Sequence, residues 1–286
     1  MGTAAWGTRP PGPSGRPCTR VPTTRSLGSP AVPRLWRRRR SAATELYLDL
    51  LKRCLTRVGF EDESVDPETR ARVPVDQERR LEGRDWPVHA ETMIGMRRLD
   101  QLQAAVEAVL AERVPGDLVE TGVWRGGASI LMRGVLAAHG DISRTVWVCD
   151  SFEGLPPPGG HPADEGFDLS GVPELAVSLE KVRANFDRYG LLDEQVRFLP
   201  GWFRDTLADA PIDRVAVLRL DGDMYESTIV ALEALYPKVS RGGFVIVDDY
   251  ALPMCAQAVD DYRRDHGVTD PLVRVDWTGV HWRRSR

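Results

Sequence analysis

Four aspartates in two short runs carry the strongest chemical signal in this 286-residue chain. Leu220-Asp221-Gly222-Asp223-Met224-Tyr225-Glu226 and Val247-Asp248-Asp249-Tyr250 each follow an apolar stretch that reads as a β-strand, Val215 to Leu220 and Phe244 to Val247. Aspartate is disfavoured in strands, and acidic runs at neighbouring strand ends repel each other unless they share a cation. Carboxylate oxygens joined by water and substrate oxygens are the donors Mg²⁺ prefers. The competing reading is helix capping, with Asp223 ahead of Ser227 and Asp249 ahead of Met254. Four aspartates in two such places favour the metal.

A second group of residues has the character of a cofactor site. Glu120-Thr121-Gly122-Val123-Trp124-Arg125-Gly126-Gly127 turns from a strand, Leu118 to Thr121, into a helix, Ala128 to Ala138. Glycines there let the backbone approach a ligand and the helix pack close to the strand. The spacing is neither GxGxxG nor the lysine-bearing GxxxxGK[ST], so it supports neither a dinucleotide nor a phosphate loop. A carboxylate just before the turn opposes pyrophosphate and suits a cationic group such as the amino group of S-adenosylmethionine. One strand later, Asp150 ends Thr145 to Cys149 at the place where an acid commonly accepts hydrogen bonds from the ribose of an adenosine cofactor. For each motif alone a purely structural turn or cap competes; together they favour the cofactor. Trp202, after Phe198-Leu199-Pro200-Gly201, suits either stacking on adenine or buried packing.

The elements that must position these groups alternate. Strands are expected at 118–121, 145–149, 196–199, 215–220 and 244–247, and helices at 128–138, 176–189, 227–236 and 254–264, which argues for a parallel sheet covered on both faces with ligands at its carboxyl ends. Ahead of it, Leu46, Leu48, Leu50, Leu51, Cys54 and Leu55 predict a helix that stops near Gly59, and 94–110 predicts another, with polar loops between 61 and 84. No repeat at a solenoid period is present.

Composition narrows the function classes. At 42% hydrophobic and 28% charged the chain is ordinary globular material, and no run is long and apolar enough to span a membrane or to act as a secretory signal, so a soluble, cytoplasmic protein is expected. Residues 1–41 hold nine arginines, no lysine and no acid; setting that charge aside from the net −4 leaves −13 on the rest. So acidic a body disfavours nucleic acid as a partner. The Pro-, Gly- and Arg-rich tail is expected to be disordered. Cys18, Cys54, Cys149 and Cys255 are too scattered for zinc or a disulfide framework, the five histidines lack HExxH spacing, and no GxSxG elbow occurs.

Together these stretches resemble the macrocin O-methyltransferase family. The resemblance covers about Thr44 to Trp282 and rests on Glu45-Leu46-Tyr47-Leu48-Asp49-Leu50-Leu51-Lys52, Thr92-Met93-Ile94-Gly95, the glycine turn, Asp150-Ser151-Phe152-Glu153-Gly154-Leu155-Pro156, Leu220 to Thr228 and Gly242-Gly243-Phe244 through Tyr250. It implies a class I S-adenosylmethionine-dependent methyltransferase, a Rossmann-like seven-stranded α/β sheet (115–286) with a helical N-terminal extension (44–114) behind the tail (1–43). It implies that S-adenosyl-L-methionine is surrounded by Thr92, Met93, Glu120, Thr121, Gly122, Val123, Trp124, Asp150, Ser151, Phe152, Glu153 and Gly154. It further implies that Asp221, Asp248 and Asp249 hold Mg²⁺, that Asp223 is the general base, and that 156–177 forms a substrate lid. The implied substrate is a sugar hydroxyl on a macrolide-like or other glycosylated natural product, a small-molecule glycoside; a homo-oligomer is left open. Methylation of a catechol or other vicinal diol, and a non-catalytic binding protein of the same fold, are the alternatives.

Overall fold

The computed structural model describes residues 41–285, so the arginine-rich segment 1–40 and Cys18 lie outside the described residues. The first helix, α1 (Ala42–Thr56), starts where the Ser41 hydroxyl accepts a hydrogen bond from the Thr44 N–H at 3.1 Å, two residues ahead of the expected boundary. Leu48, Leu51 and Leu55 form its buried stripe at i, i+3 and i+7. Leu46 and Leu50 fall on the opposite side and are exposed, so the apolar face is narrower than the leucine count suggests.

The segment expected to be polar loops is instead a small antiparallel sheet, β1 (Glu63–Val65), β2 (Arg72–Pro74) and β3 (Trp86–Pro87) in the order β2-β1-β3, with the helix α2 (Gln77–Glu82) between its last two strands. Arg80 forms its core: buried, it donates to Asp85 at 2.7 Å, Asp62 at 2.8 Å and the Thr56 carbonyl at 3.1 Å. A unit organised around a guanidinium has no hydrophobic alternation, which is why the sequence pattern hides it.

After α3 (Gly95–Ala111) the chain alternates: β4 (Asp117–Thr121), α4 (Gly127–His139), β5 (Val146–Asp150), α5 (Leu179–Arg188), β6 (Val196–Pro200), α6 (Phe203–Thr206), β7 (Val215–Leu220), α7 (Tyr225–Leu235), β8 (Val239–Val247) and α8 (Pro253–Asp265), as expected apart from the short α6 and the earlier start of β8. Two further strands, β9 (Val273–Arg274) and β10 (Val280–Arg283), complete a seven-stranded sheet of order β6-β5-β4-β7-β8-β10-β9. Strands β4 to β8 are parallel, and β10 is antiparallel to both β8 and β9. The last two escape a periodicity reading because they are two and four residues long, yet Trp282 on β10 is fully buried.

Alternation along the strands sorts the core into two layers. Leu118, Val146, Val148 and Ile246 face α1, α3, α4 and α5. Val119, Cys149, Leu218, Val245 and Val247 face α7, α8 and Trp282. The helix α4 is buried from Gly127 to Leu136 because α1 and α3 cover the side that the sheet leaves free. Strand order reverses between β4 and β7, and a ligand crevice belongs outside the carboxyl ends of that pair.

Candidate active site

At the reversal point the strand ends are laced together: Asp221 N–H donates to the Thr121 carbonyl, Gly122 N–H to that of Cys149 and Asp248 N–H to that of Leu220, each at 2.9 Å. Gly122 takes φ +79°, and a Cβ there would collide with the Asp221 carbonyl oxygen, so the turn after β4 admits only glycine. Gly127 opens α4 against the 91–92 segment; a Cβ on it would stand 2.6 Å from the Glu91 carbonyl oxygen and from the Thr92 side chain. Thr92, Met93 and the glycine turn, far apart in sequence, are thereby neighbours.

Asp221, Asp248 and Asp249 bring one carboxylate oxygen each within 4.8 Å of one another. Asp223 joins them through its backbone N–H, which donates to Asp249 Oδ2 at 3.3 Å, and its φ of +56° is the strained turn that separates it from Asp221. Burial and the neighbouring Asp221 and Asp248 push the Asp223 carboxyl up to about 7. Burial likewise raises Asp221, and raises Asp249 well above the usual carboxylate range.

Two arginines that the sequence reading passed over sit among these acids. Arg219, buried in β7, donates through Nη1 to Glu120 Oε1 at 2.6 Å and to Asp221 Oδ2 at 2.7 Å, and through Nη2 to Asp248 Oδ1. Arg98 of α3 reaches Asp248 Oδ2 through Nη1 and Asp276 Oδ2 through Nε at 3.0 Å. An arginine in the otherwise apolar run Val215-Ala216-Val217-Leu218-Arg219-Leu220 was the legible signal, since a buried charge demands partners. Four carboxylates, Glu120, Asp221, Asp248 and Asp276, bond these two guanidiniums, and Asp223 and Asp249 adjoin them without an arginine contact of their own. The remaining negative charge and the all-oxygen donor set fit a hard divalent cation.

The expected cofactor residues line the same end of the sheet, with altered emphasis. Glu120 is fully buried and accepts hydrogen bonds from Ser129 Oγ and Arg219, so its first partner is Arg219, while burial pushes its carboxyl up to about 7. Asp150 accepts from the Val123 and Phe152 N–H groups, both at 2.7 Å, and so ties the glycine turn to the Asp150–Gly154 turn, where Ser151 Oγ donates to the Gly154 carbonyl at 2.9 Å. Its oxygens retain lone pairs for a further donor. Trp124 and Phe152 both adopt left-handed backbone, φ +48° and +58°, in these two turns. Glu153 is exposed, its N–H held by Ser151 Oγ at 3.0 Å.

The segment 156–177, expected as a lid, is tied to this end of the sheet. Trp124 Nε1 donates to the Glu174 carbonyl at 2.7 Å, and Asp164, fully buried, accepts the Tyr225 and Glu226 N–H groups at 2.7 and 3.1 Å, capping α7. The His161 ring stacks on Tyr225 with centroids 3.6 Å apart. Trp202 lines a small cleft with Pro156, Phe203, Arg204, Glu226, Ser227 and Val230. A larger cavity, about 810 Å³, lies elsewhere, among residues that include His89, Glu91, Arg125 and Tyr189, and none of the four aspartates lines it. His89 there bonds Asp62 at 2.8 Å.

A parallel sheet with this reversal, a glycine turn after the first central strand and an acid at the tip of the next form a Rossmann-like fold with a nucleotide-type cofactor crevice at its switch point. The chain belongs to the macrocin O-methyltransferase (TylF) family, whose profile matches residues 44–284. It is 58% identical over 248 residues, 85% of this chain and 94% of the relative, to the 8-demethyl-8-(2,3-dimethoxy-alpha-L-rhamnosyl)-tetracenomycin-C 4'-O-methyltransferase of Streptomyces olivaceus. It is 50% identical over 250 residues, 86% of this chain and 98% of the relative, to the mycinamicin III 3''-O-methyltransferase of Micromonospora griseorubida. The solved structure of the O-methyltransferase NovP superposes with a TM-score of 0.81 at 55% identity, covering 85% of this chain and 100% of that one. The chain is an O-methyltransferase that uses S-adenosyl-L-methionine.

Proposed function

We propose that this enzyme methylates a sugar hydroxyl of a glycosylated natural product, with Asp221, Asp248 and Asp249 holding Mg²⁺ and Asp223 serving as general base. The relatives named above act, by their names, on a rhamnosylated tetracenomycin and on mycinamicin III, which supports a glycoside acceptor here. The observation that carries the reading is the cluster of Asp221, Asp248 and Asp249 within 4.8 Å, with Asp223 adjoining it, at the reversal point beside the glycine turn.

A divalent cation held by the three carboxylates would supply Lewis acidity that lowers the pKa of the acceptor hydroxyl. Asp223 takes the hydroxyl proton on its carboxylate; with its carboxyl raised to about 7 it is a stronger base than an ordinary aspartate at neutral pH. The glycine turn and the Asp150–Gly154 turn, tied together by Asp150, would hold the cofactor, which would supply the methyl group to the acceptor oxygen. The lid, anchored on α7 by Asp164, excludes water from that encounter. We assign Thr92, Met93, Glu120–Trp124, Asp150–Gly154 and Trp202 to the cofactor's surroundings, with Glu120 acting from beneath through Arg219. The complete acid set argues against a non-catalytic binding protein.

The test is incubation with labelled cofactor, Mg²⁺ and a panel of glycosides, their aglycones and simple catechols, read by mass spectrometry. Label on the sugar supports the reading; label only on catechols or aglycones replaces the acceptor, and no label with any of them overturns the proposal.

A further inference from the structure

The arginine in β7 is the one charged residue in a strand buried along its whole length, and its surroundings account for it. Through Nη1 and Nη2 it touches carboxylates at the ends of three adjacent strands: Glu120 on β4, Asp221 just beyond β7 and Asp248 just beyond β8. Asp248 is held from both sides, its Oδ1 by Arg219 and its Oδ2 by Arg98. Asp221 is held through Oδ2 alone, so its other oxygen is free of arginine. Arg98 is itself fixed by Asp276 and by the Gly83 carbonyl at 3.0 Å each, which roots the clamp in the N-terminal part of the chain.

We infer that Arg219 is a positioning residue, whose planar fork, aided by Arg98, fixes Asp221 and Asp248 in the orientations that present carboxylate oxygens toward a divalent cation. The inference rests on the metal reading above and adds to it the residue that assembles the ligands beforehand. Without such a clamp, Asp221 and Asp248 repel each other and turn apart, and each cation bound must reassemble them beside Asp249. With it, the ligands are already gathered. Each clamped oxygen keeps a second lone pair, so hydrogen bonding to arginine and coordination of a cation are compatible. Charge alone is a weaker explanation: a lysine supplies the same charge but not a fork able to bond three carboxylates in fixed directions. Groups that orient metal ligands from behind typically change affinity by about 10–100-fold when altered.

The experiment is titration of Mg²⁺ by calorimetry into the full chain, wild type and Arg219→Lys, followed by the Mg²⁺ dependence of methyl transfer. The expected result is a Kd for Mg²⁺ weaker by about 10–100-fold in Arg219→Lys, with the half-saturating Mg²⁺ for turnover raised by the same factor and the rate regained as Mg²⁺ is increased. A merely structural arginine would lower the melting temperature or the rate and leave the Kd for Mg²⁺ unchanged; that result overturns the inference. Should Arg219→Lys fail to fold, Arg98→Lys, which reaches Asp248 from outside the sheet, takes its place: weaker Mg²⁺ binding supports the clamp and an unchanged Kd overturns it. A wild-type chain that binds no Mg²⁺ overturns the metal reading and this one with it, whereas wild-type binding with an unchanged variant overturns this one alone.

Discussion

Replacing Asp223 by Asn separates the base from the metal ligands. The substitution keeps the shape and removes the charge. Asp223 sits at φ +56°, a region that asparagine also tolerates, and its N–H bond to Asp249 belongs to the backbone, so the turn survives. Asp221, Asp248 and Asp249 form the cation cluster without it. Removing one of six crowded carboxylates relieves repulsion, so the melting temperature is expected to stay level or rise and the Kd for Mg²⁺ to stay within about threefold, an allowance of less than 1 kcal/mol on the scale of 1.4 kcal/mol per decade. Loss of a general base lowers a rate by about 10²–10⁴-fold. That factor corresponds to roughly 2.7–5.5 kcal/mol on the barrier. Single-turnover methyl transfer at saturating cofactor and Mg²⁺ measures it, and the variant should recover partly at high pH as hydroxide replaces the base. A rate near wild type, or a loss of Mg²⁺ affinity matching that of Asp221→Asn, would refute the division of labour.

The contact of Asp164 with α7 and the charge of the cluster lead to two further expectations. Asp164→Ala removes the cap of α7 and leaves two backbone N–H groups without their acceptor, a loss of about 0.5–2 kcal/mol. Faster proteolysis within 156–177 and a higher KM for the acceptor should follow, and unchanged protease resistance would count against the latch. Glu120 and Asp223, both raised to about 7, hold more protons in the folded metal-free protein than their ordinary values of 4.5 and 3.8 allow in the unfolded chain. The stability tied to those protons is therefore full below about pH 4 and lost as the pH rises through 7. Because Mg²⁺ binds the deprotonated acids, its stabilisation should grow in the opposite direction. Thermal unfolding with and without Mg²⁺ should show a larger shift at pH 8 than at pH 5.5, and equal shifts at both would argue against a carboxylate site.

The parts of the fold that rest on hydrophobic periodicity were readable in the chain: five strands of the main sheet and four longer helices lie where expected, although β8 begins five residues earlier and the one-turn helix α6 was not anticipated. The small sheet around Arg80 was not, because its order comes from ion pairs and leaves no apolar alternation. Strands β9 and β10 were too short to register a period. In the site, the aspartates were visible because acids at strand ends are anomalous, and the structure gathers them. The partners of those acids were harder to see. Glu120 was read as facing a cation in the cofactor, and the structure gives it a cation within the protein, Arg219. Arg98 had no local signal at all, since its role depends on α3 packing beside strand ends 150 residues further on. Asp164 belongs to the same class, a loop residue whose meaning lies in the helix it caps. Among the described residues no helix is long and apolar enough to cross a membrane, and Cys54, Cys149 and Cys255 are free thiols.

The most direct test of the account is methyl transfer by the chelator-stripped enzyme. With labelled S-adenosyl-L-methionine and a glycoside acceptor, excess chelator should abolish transfer while the cofactor still binds, because Asp150 and the glycine turn lie on strands other than those bearing Asp221, Asp248 and Asp249. Added Mg²⁺ should restore the rate. Full turnover in excess chelator would contradict the claim that these aspartates work through a divalent cation.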